Sequence, residues 1–236
     1  MDVRRAADRF ATQNPWLDSR HSFSFGRHYD AANTGFGLLL VNNDDVVAPG
    51  SGFSTHPHRD MEILTWVLDG ELVHQDSEGH TGLITPGLAQ RMSAGTGILH
   101  SELNSASASP VHFVQMWVRP DTERADPSYA ALDISAELDL GGLVPVASGR
   151  GHDAAIPVRQ RDAVLWAARL SAGERIVLPD APMVHLFVAK GSVDLDAAGR
   201  LETGDAVRLT AAGGPSVTAV DTAAEVLVWE MAGENR

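Results

Sequence analysis

The fold is decided by the stretch Gly50-Ser51-Gly52-Phe53-Ser54-Thr55-His56-Pro57-His58-Arg59-Asp60-Met61-Glu62 and its later counterpart Gly95-Thr96-Gly97-Ile98-Leu99-His100-Ser101-Glu102. His56 and His58, and again His100 and Glu102, place metal-ligand residue types at i, i+2, a spacing that puts both side chains on one face of a strand. Two such strands facing each other inside a barrel would bring three imidazoles and a carboxylate to one point. Such a donor set suits Fe, Ni, Cu or Zn and can leave coordination positions free for a substrate or dioxygen. It does not suit structural zinc, which favours thiolates and four protein ligands without vacancy. Glu62 also stands at an even offset from the first pair, so spacing alone leaves two candidate carboxylates, Glu62 and Glu102.

Outward from these motifs, short apolar runs alternate with Gly, Pro, Asn and Asp punctuation: Phe36 to Val41, Met61 to Leu68, Leu83-Ile84, Val111 to Val118, Val164 to Leu170, Val184 to Val188 and Val226 to Trp229. This spacing predicts an all-β chain of barrels or sandwiches. The charged, twice-proline segment Arg119 to Pro127 reads as a linker, and a short helix is expected near Ala130 to Leu138. The chain divides into a front unit, residues 1–125, and a back unit, residues 126–236.

With 236 residues, 44% of them hydrophobic, there is material for real cores. The net charge of −13 opposes any general basic surface, so direct nucleic-acid binding is not expected. Absence of cysteine removes disulfides, thiolate ligands and cysteine nucleophiles. There is neither a secretory signal nor an apolar run long enough to span a membrane, and the chain reads as a cytoplasmic monomer. No Gly-x-Ser-x-Gly elbow supports a serine hydrolase. Gly95 and Gly97 read as strand-entry turns rather than a phosphate loop.

The remaining histidines, His21, His28, His74, His80, His112, His152 and His185, read as core or surface groups with satisfied hydrogen bonds. Trp66 and Trp117 read as core, and Phe53 as a residue of the pocket mouth.

The two motifs, with Gly70 closing the first and Asn104 following the second, closely resemble the paired motifs of the cupin superfamily. They depart from it by one extra residue between Glu62 and Gly70 and by Gly95 where cupins often carry proline. The wording of both motifs is similar to the pirin family, including its bacterial quercetin 2,3-dioxygenase-like members. The resemblance extends to Trp16-Leu17-Asp18-Ser19-Arg20-His21-Ser22-Phe23-Ser24-Phe25, Gly35-Phe36-Gly37 and Val114-Gln115-Met116-Trp117.

It implies a metal held by His56, His58, His100 and Glu102, with Glu62 orienting a histidine from behind. It also implies cleavage of a small aromatic substrate, a flavonol of the quercetin type, by O2, with Glu102, or Glu62 through a water, as general base. Fe(II) is the first expectation for the divalent metal, with Ni, Mn, Co, Cu or Zn as alternatives. The eukaryotic pirins imply a second reading, a redox-responsive metal-binding regulator with a protein partner. A third is an oxygen-independent cupin isomerase.

The back half echoes the front. Trp66-Val67-Leu68-Asp69-Gly70 resembles Phe187-Val188-Ala189-Lys190-Gly191 at an offset of 121 residues, and Arg91-Met92 resembles Arg208-Leu209 at 117. Two diverged cupin barrels are therefore expected. The metal-ligand positions of the front fall on Val177, Pro179, Met183, Val217 and Ala219, which offer at best a weak thioether. A metal site is thus expected in the front barrel alone.

Overall fold

In a computed structural model that describes residues 1–153, 156–211 and 213–233, strand Glu62–Asp69 is buried from Glu62 to Leu68 without interruption. The unbroken run arises because both faces of the strand are covered. Leu64, Trp66 and Leu68 enter a core shared with Phe187, Leu227 and Trp229 of the back half. Val67 packs instead with Leu17, Val47, Leu72 and Phe113 inside the front barrel. Strand Met183–Lys190 behaves the same way, with Phe187 and Ala189 in the shared core and Val184, Leu186 and Val188 inside the back barrel. The two barrels thus stand back to back, and period-2 alternation directs each strand's side chains into different cores.

The front barrel pairs a seven-stranded sheet with a four-stranded one. The smaller sheet runs in the order Gly52–His58, Ile98–Leu103, Leu72–Asp76, Thr81–Ile84. In the back barrel the equivalent order is Arg175–Val177, Ser216–Ala219, Ser192–Leu195, Gly199–Glu202. The offset of 121 maps Glu62–Asp69 onto Met183–Lys190 end to end. The internal repeat is therefore real in three dimensions.

The halves also exchange edge strands. Asp2–Arg4 pairs with Ala206–Thr210 in the back sheet, and Ser128–Asp133 pairs with Leu88–Ser93 in the front sheet. The second pairing corrects one expectation. The helix anticipated over Ala130 to Leu138 is confined to Ser135–Leu138, because the free edge of Leu88–Ser93 offers Ser128–Asp133 a full ladder of hydrogen-bond partners, and this outweighs the helix propensity of Ala130-Ala131-Leu132. Between Val118 and Ser128 no strand or helix forms. That segment is nonetheless fastened, with Asp121 N donating to the Arg159 carbonyl at 2.8 Å and Gln160 Nε2 to the Arg119 carbonyl at 2.8 Å.

Polar clamps join the barrels across the shared core. Trp66 Nε1 donates to Glu225 Oε1 at 2.6 Å, and Lys190 Nζ donates to the Leu68 carbonyl at 2.7 Å. The back barrel's interior is filled by apolar side chains, among them Val217, which stands opposite Leu195 as Glu102 stands opposite His74 in the front barrel. No helix among the described residues is long and apolar enough to cross a membrane.

Candidate metal centre

Strands Gly52–His58 and Ile98–Leu103 are antiparallel neighbours, with His100 opposite His56 and Ile98 opposite His58. The i, i+2 spacing in both strands aims these histidines into the barrel. Pro57, which cannot donate to a ladder, is tolerated because Gly52–His58 lies at the edge of its sheet. Between His100 and Glu102 the register slips by one residue, so Glu102 faces Phe53 rather than Ser54. This bulge re-aims the end of the strand. The backbones come so close there that a Cβ on Gly52 would lie 2.1 Å from the Glu102 carbonyl oxygen, which excludes any other residue. Gly95 has a similar role in the entry turn, at φ +47°, where a Cβ would lie 2.0 Å from the Ala125 carbonyl oxygen.

One ring nitrogen from each of His56, His58 and His100 lies within 4.8 Å of the others. The tautomers follow from their neighbours. His56 Nδ1 donates to the Ser54 carbonyl at 2.8 Å, which leaves the Nε2 lone pair free. His58 Nε2 and His100 Nε2 are buried without a hydrogen-bond partner among the described residues. Buried, orphaned imidazole nitrogens facing one another are costly unless something is bound between them, and their softness fits a divalent transition metal. Burial, then the charge of His56, holds the His58 pKa down at about 4. The same causes, joined by His58 and His74, bring His100 to about 2. Both rings are therefore neutral at physiological pH, as a metal ligand must be.

Behind His100 stands a polar chain. His100 Nδ1 lies 3.5 Å from His74 Nδ1, and His74 Nε2 lies 3.2 Å from Asp76 Oδ2. Asp76 also accepts from the backbone N–H groups of Glu78 and His80, and Tyr129 packs against both His74 and His80. Of the histidines read as bystanders, His74 is thus a supporting partner of a cluster member. His21 lines the adjacent cavity and His112 pairs with Asp44. His185 departs from the satisfied-core reading. It is buried with neither nitrogen hydrogen-bonded among the described residues, and burial, then Arg208 and Arg9, lowers its pKa to about 3.

The two candidate carboxylates separate. Glu102 is buried on the wall of the same cavity as His56 and His58, and both its oxygens accept from Gln115 Nε2 at 2.8 Å. Burial raises its pKa, opposed by the Gln115 hydrogen bond and the charge of His56. Glu62 is not brought to the cluster. The turn between the strands, with Asp60 at φ 44°, breaks the regular parity on which its placement rested. Its carboxylate points toward the back half, where Oε2 accepts from Ser93 Oγ at 2.8 Å and from Arg159 N at 3.0 Å, with Arg91 Nε 3.9 Å away. Among the described residues Glu62 hydrogen-bonds no histidine, and it does not line the cavity beside His56 and His58; it ties the barrels together.

His56 and His58 line a cavity of about 590 Å³. Trp16, Phe25, Phe53 and Trp117 line it, and Trp117 stands edge-on to His58 at 4.9 Å. Phe53 sits where the sequence placed it and Trp66 is core, while Trp117 both packs against the buried cluster of Ile63, Met92 and Ile98 and lines the cavity. Gln115 and Asp45 also escaped notice. Their signal was faint: Asn43 and Asp45, and Phe113, Gln115 and Trp117, alternate at period 2 in adjacent strands, which marks an interior face that is partly polar.

Comparison with known proteins agrees with this geometry. The family model described as Pirin matches residues 3–118, and that described as Quercetinase C-terminal cupin domain matches residues 145–231. A protein of Mycobacterium tuberculosis named "Putative quercetin 2,3-dioxygenase" is 58% identical over 98% of this chain and 95% of its own. The quercetin 2,3-dioxygenase of Escherichia coli K12 is 38% identical over 97% of each chain. Crystal structures of YhhW from Escherichia coli superimpose with TM-scores of 0.91 and 0.89 at 36% identity. They cover 100% and 98% of this chain and 99% of each YhhW chain, and the second is described as a bacterial pirin in complex with nickel(II).

Proposed function

The chain belongs to the pirin family, with two cupin domains, and from that premise we propose that it is a metal-dependent dioxygenase cleaving flavonols of the quercetin type with O2. The observation that carries this reading is a cluster of three histidines, two with Nε2 atoms left without a partner among the described residues, beside an aromatic-walled cavity that also holds a buried carboxylate. The names of the Escherichia coli and Mycobacterium relatives point the same way.

His56, His58 and His100 would hold the metal, with Glu102 as the fourth donor and iron(II) as the first choice for a site of imidazoles and one carboxylate. When bound, the metal supplies a Lewis acid for a substrate oxygen and the redox centre through which dioxygen is activated. The side chains do the rest. Trp117 and Phe53 offer flat apolar walls to a planar ring system and keep water from it. Glu102, with its pKa raised by burial, accepts the proton of the flavonol 3-hydroxyl. Gln115 donates to both carboxylate oxygens and so fixes where that proton is received. Electron density left on the deprotonated flavonol favours oxygen insertion, with ring cleavage and loss of carbon monoxide.

The test is spectrophotometric. Metal-depleted protein reloaded with Fe(II) or Ni(II) is expected to bleach the quercetin absorbance in air and to leave it intact under nitrogen. Unchanged absorbance in air with either metal contradicts the reading, and turnover that persists under nitrogen assigns an oxygen-independent reaction instead.

A further inference from the structure

The cavity holds a carboxyl group that the proposed reaction does not use. Asp45, on strand Leu39–Val47, stands opposite Ser19 and Phe113 of the neighbouring strands and lines the same cavity as His56, His58 and Glu102. It is 3% exposed, and its Oδ1 is buried without a hydrogen-bond partner among the described residues. A buried acceptor left without a donor is costly, and native structures keep such groups mainly where a ligand or water completes them.

Burial is the largest cause holding the Asp45 pKa up at about 7, reinforced by Asp44 and Glu102 and opposed by the Ser19 hydroxyl and Arg9. Near neutral pH the group can therefore accept a hydrogen bond or donate one.

The register gives Asp45 its place relative to the reacting end. Asn43 pairs with Gln115, the residue that fixes Glu102, and Asp45 lies two residues further along the same face. Two residues of strand are roughly 7 Å, about the span between hydroxyl groups on separate rings of a flavonol. Near Asp45 the wall is aromatic: Phe53 stands edge-on to Phe113 at 6.5 Å and to Trp16 at 5.4 Å.

We propose that Asp45 is a second substrate anchor: it binds a phenolic hydroxyl on a ring remote from the oxygens that face His56 and His58, and so selects polyhydroxylated planar aromatics over those hydroxylated only at the reacting end. This inference rests on the flavonol reading of the site and adds its specificity.

Quenching of tryptophan fluorescence in metal-loaded protein, under nitrogen so that nothing turns over, measures binding of quercetin and of 3-hydroxyflavone, which lacks every remote hydroxyl. Asp45→Leu is expected to weaken quercetin binding about ten-fold or more and to leave 3-hydroxyflavone within about two-fold, because a hydroxyl-binding site loses only ligands that use it. Asp45→Asn, which keeps an acceptor oxygen, should retain most of the preference, and in air Asp45→Leu should raise KM for quercetin with little change in kcat.

Equal losses for both ligands, or none for either, would overturn the anchor. If the wild-type protein discriminates as expected but consumes no quercetin in air, the anchor stands and the oxygenase reading falls. If quercetin is consumed but Asp45→Leu does not discriminate, the anchor falls and the oxygenase reading stands.

Discussion

Glu102→Gln is expected to lower quercetin turnover by about 10²- to 10⁴-fold, the usual worth of a positioned general base. The charge is lost where two functions meet, since Glu102 is proposed both to complete the donor set and to accept the substrate proton. The substitution is close in volume, so the effect comes from chemistry rather than from a cavity. It also turns a carboxylate that accepts twice from Gln115 Nε2 into an amide, one end of which must oppose that donor. Retained metal should fall as well, but not vanish, because the three histidines remain. Steady-state kinetics with metal quantification on the same sample separates the two contributions. Turnover within ten-fold of wild type at full metal occupancy would remove Glu102 as the base.

Trp66→Ala is expected to destabilise the whole protein by about 3–5 kcal/mol, the range for deleting a fully buried large aromatic side chain. Trp66 is 1% exposed, in the core shared by both barrels, and its indole N–H is the donor to Glu225 Oε1. Removing it opens a cavity and takes a hydrogen bond from a buried carboxylate, which among the described residues then keeps Arg169 Nε, at 3.2 Å. For a chain of this size the midpoint of thermal unfolding should drop by roughly 2–4 °C per kcal/mol. Because Leu64, Trp66 and Leu68 pack directly on Phe187 and Trp229, both barrels should unfold in one transition, observable by urea titration. A loss below about 1 kcal/mol, or a front barrel that melts alone, would contradict the shared-core account.

Much of this was legible in the chain, for identifiable reasons. The i, i+2 pair His56/His58 was legible because it lies within one regular strand, where period 2 is enforced by the pleat, whereas a bulge between His100 and Glu102 re-aims the second pair, and the cluster within 4.8 Å comprises the three histidines. The repeat was readable because strand spacing, unlike side-chain identity, had not drifted between Glu62–Asp69 and Met183–Lys190. Glu62 was misplaced because the parity argument ran through Arg59-Asp60-Met61, where the chain leaves the strand and Asp60 adopts a left-handed conformation. Ser128–Asp133 was misread because its state depends on a partner edge about forty residues upstream, a non-local fact that composition does not carry. Asp45 was invisible for a related reason. An aspartate beside a second aspartate looks like a solvated pair, and only the sheet register shows that Asp44 turns toward Arg9 and His112 while Asp45 faces the cavity.

The central claim is that one metal ion is held by three histidines of the front barrel, and elemental analysis of protein purified without added metal tests it most directly. The expected result is about one equivalent of a divalent transition metal per wild-type chain and almost none in His56→Ala, whose fold should be intact by circular dichroism. Full metal content in His56→Ala, or in His56→Ala combined with His100→Ala, would contradict it.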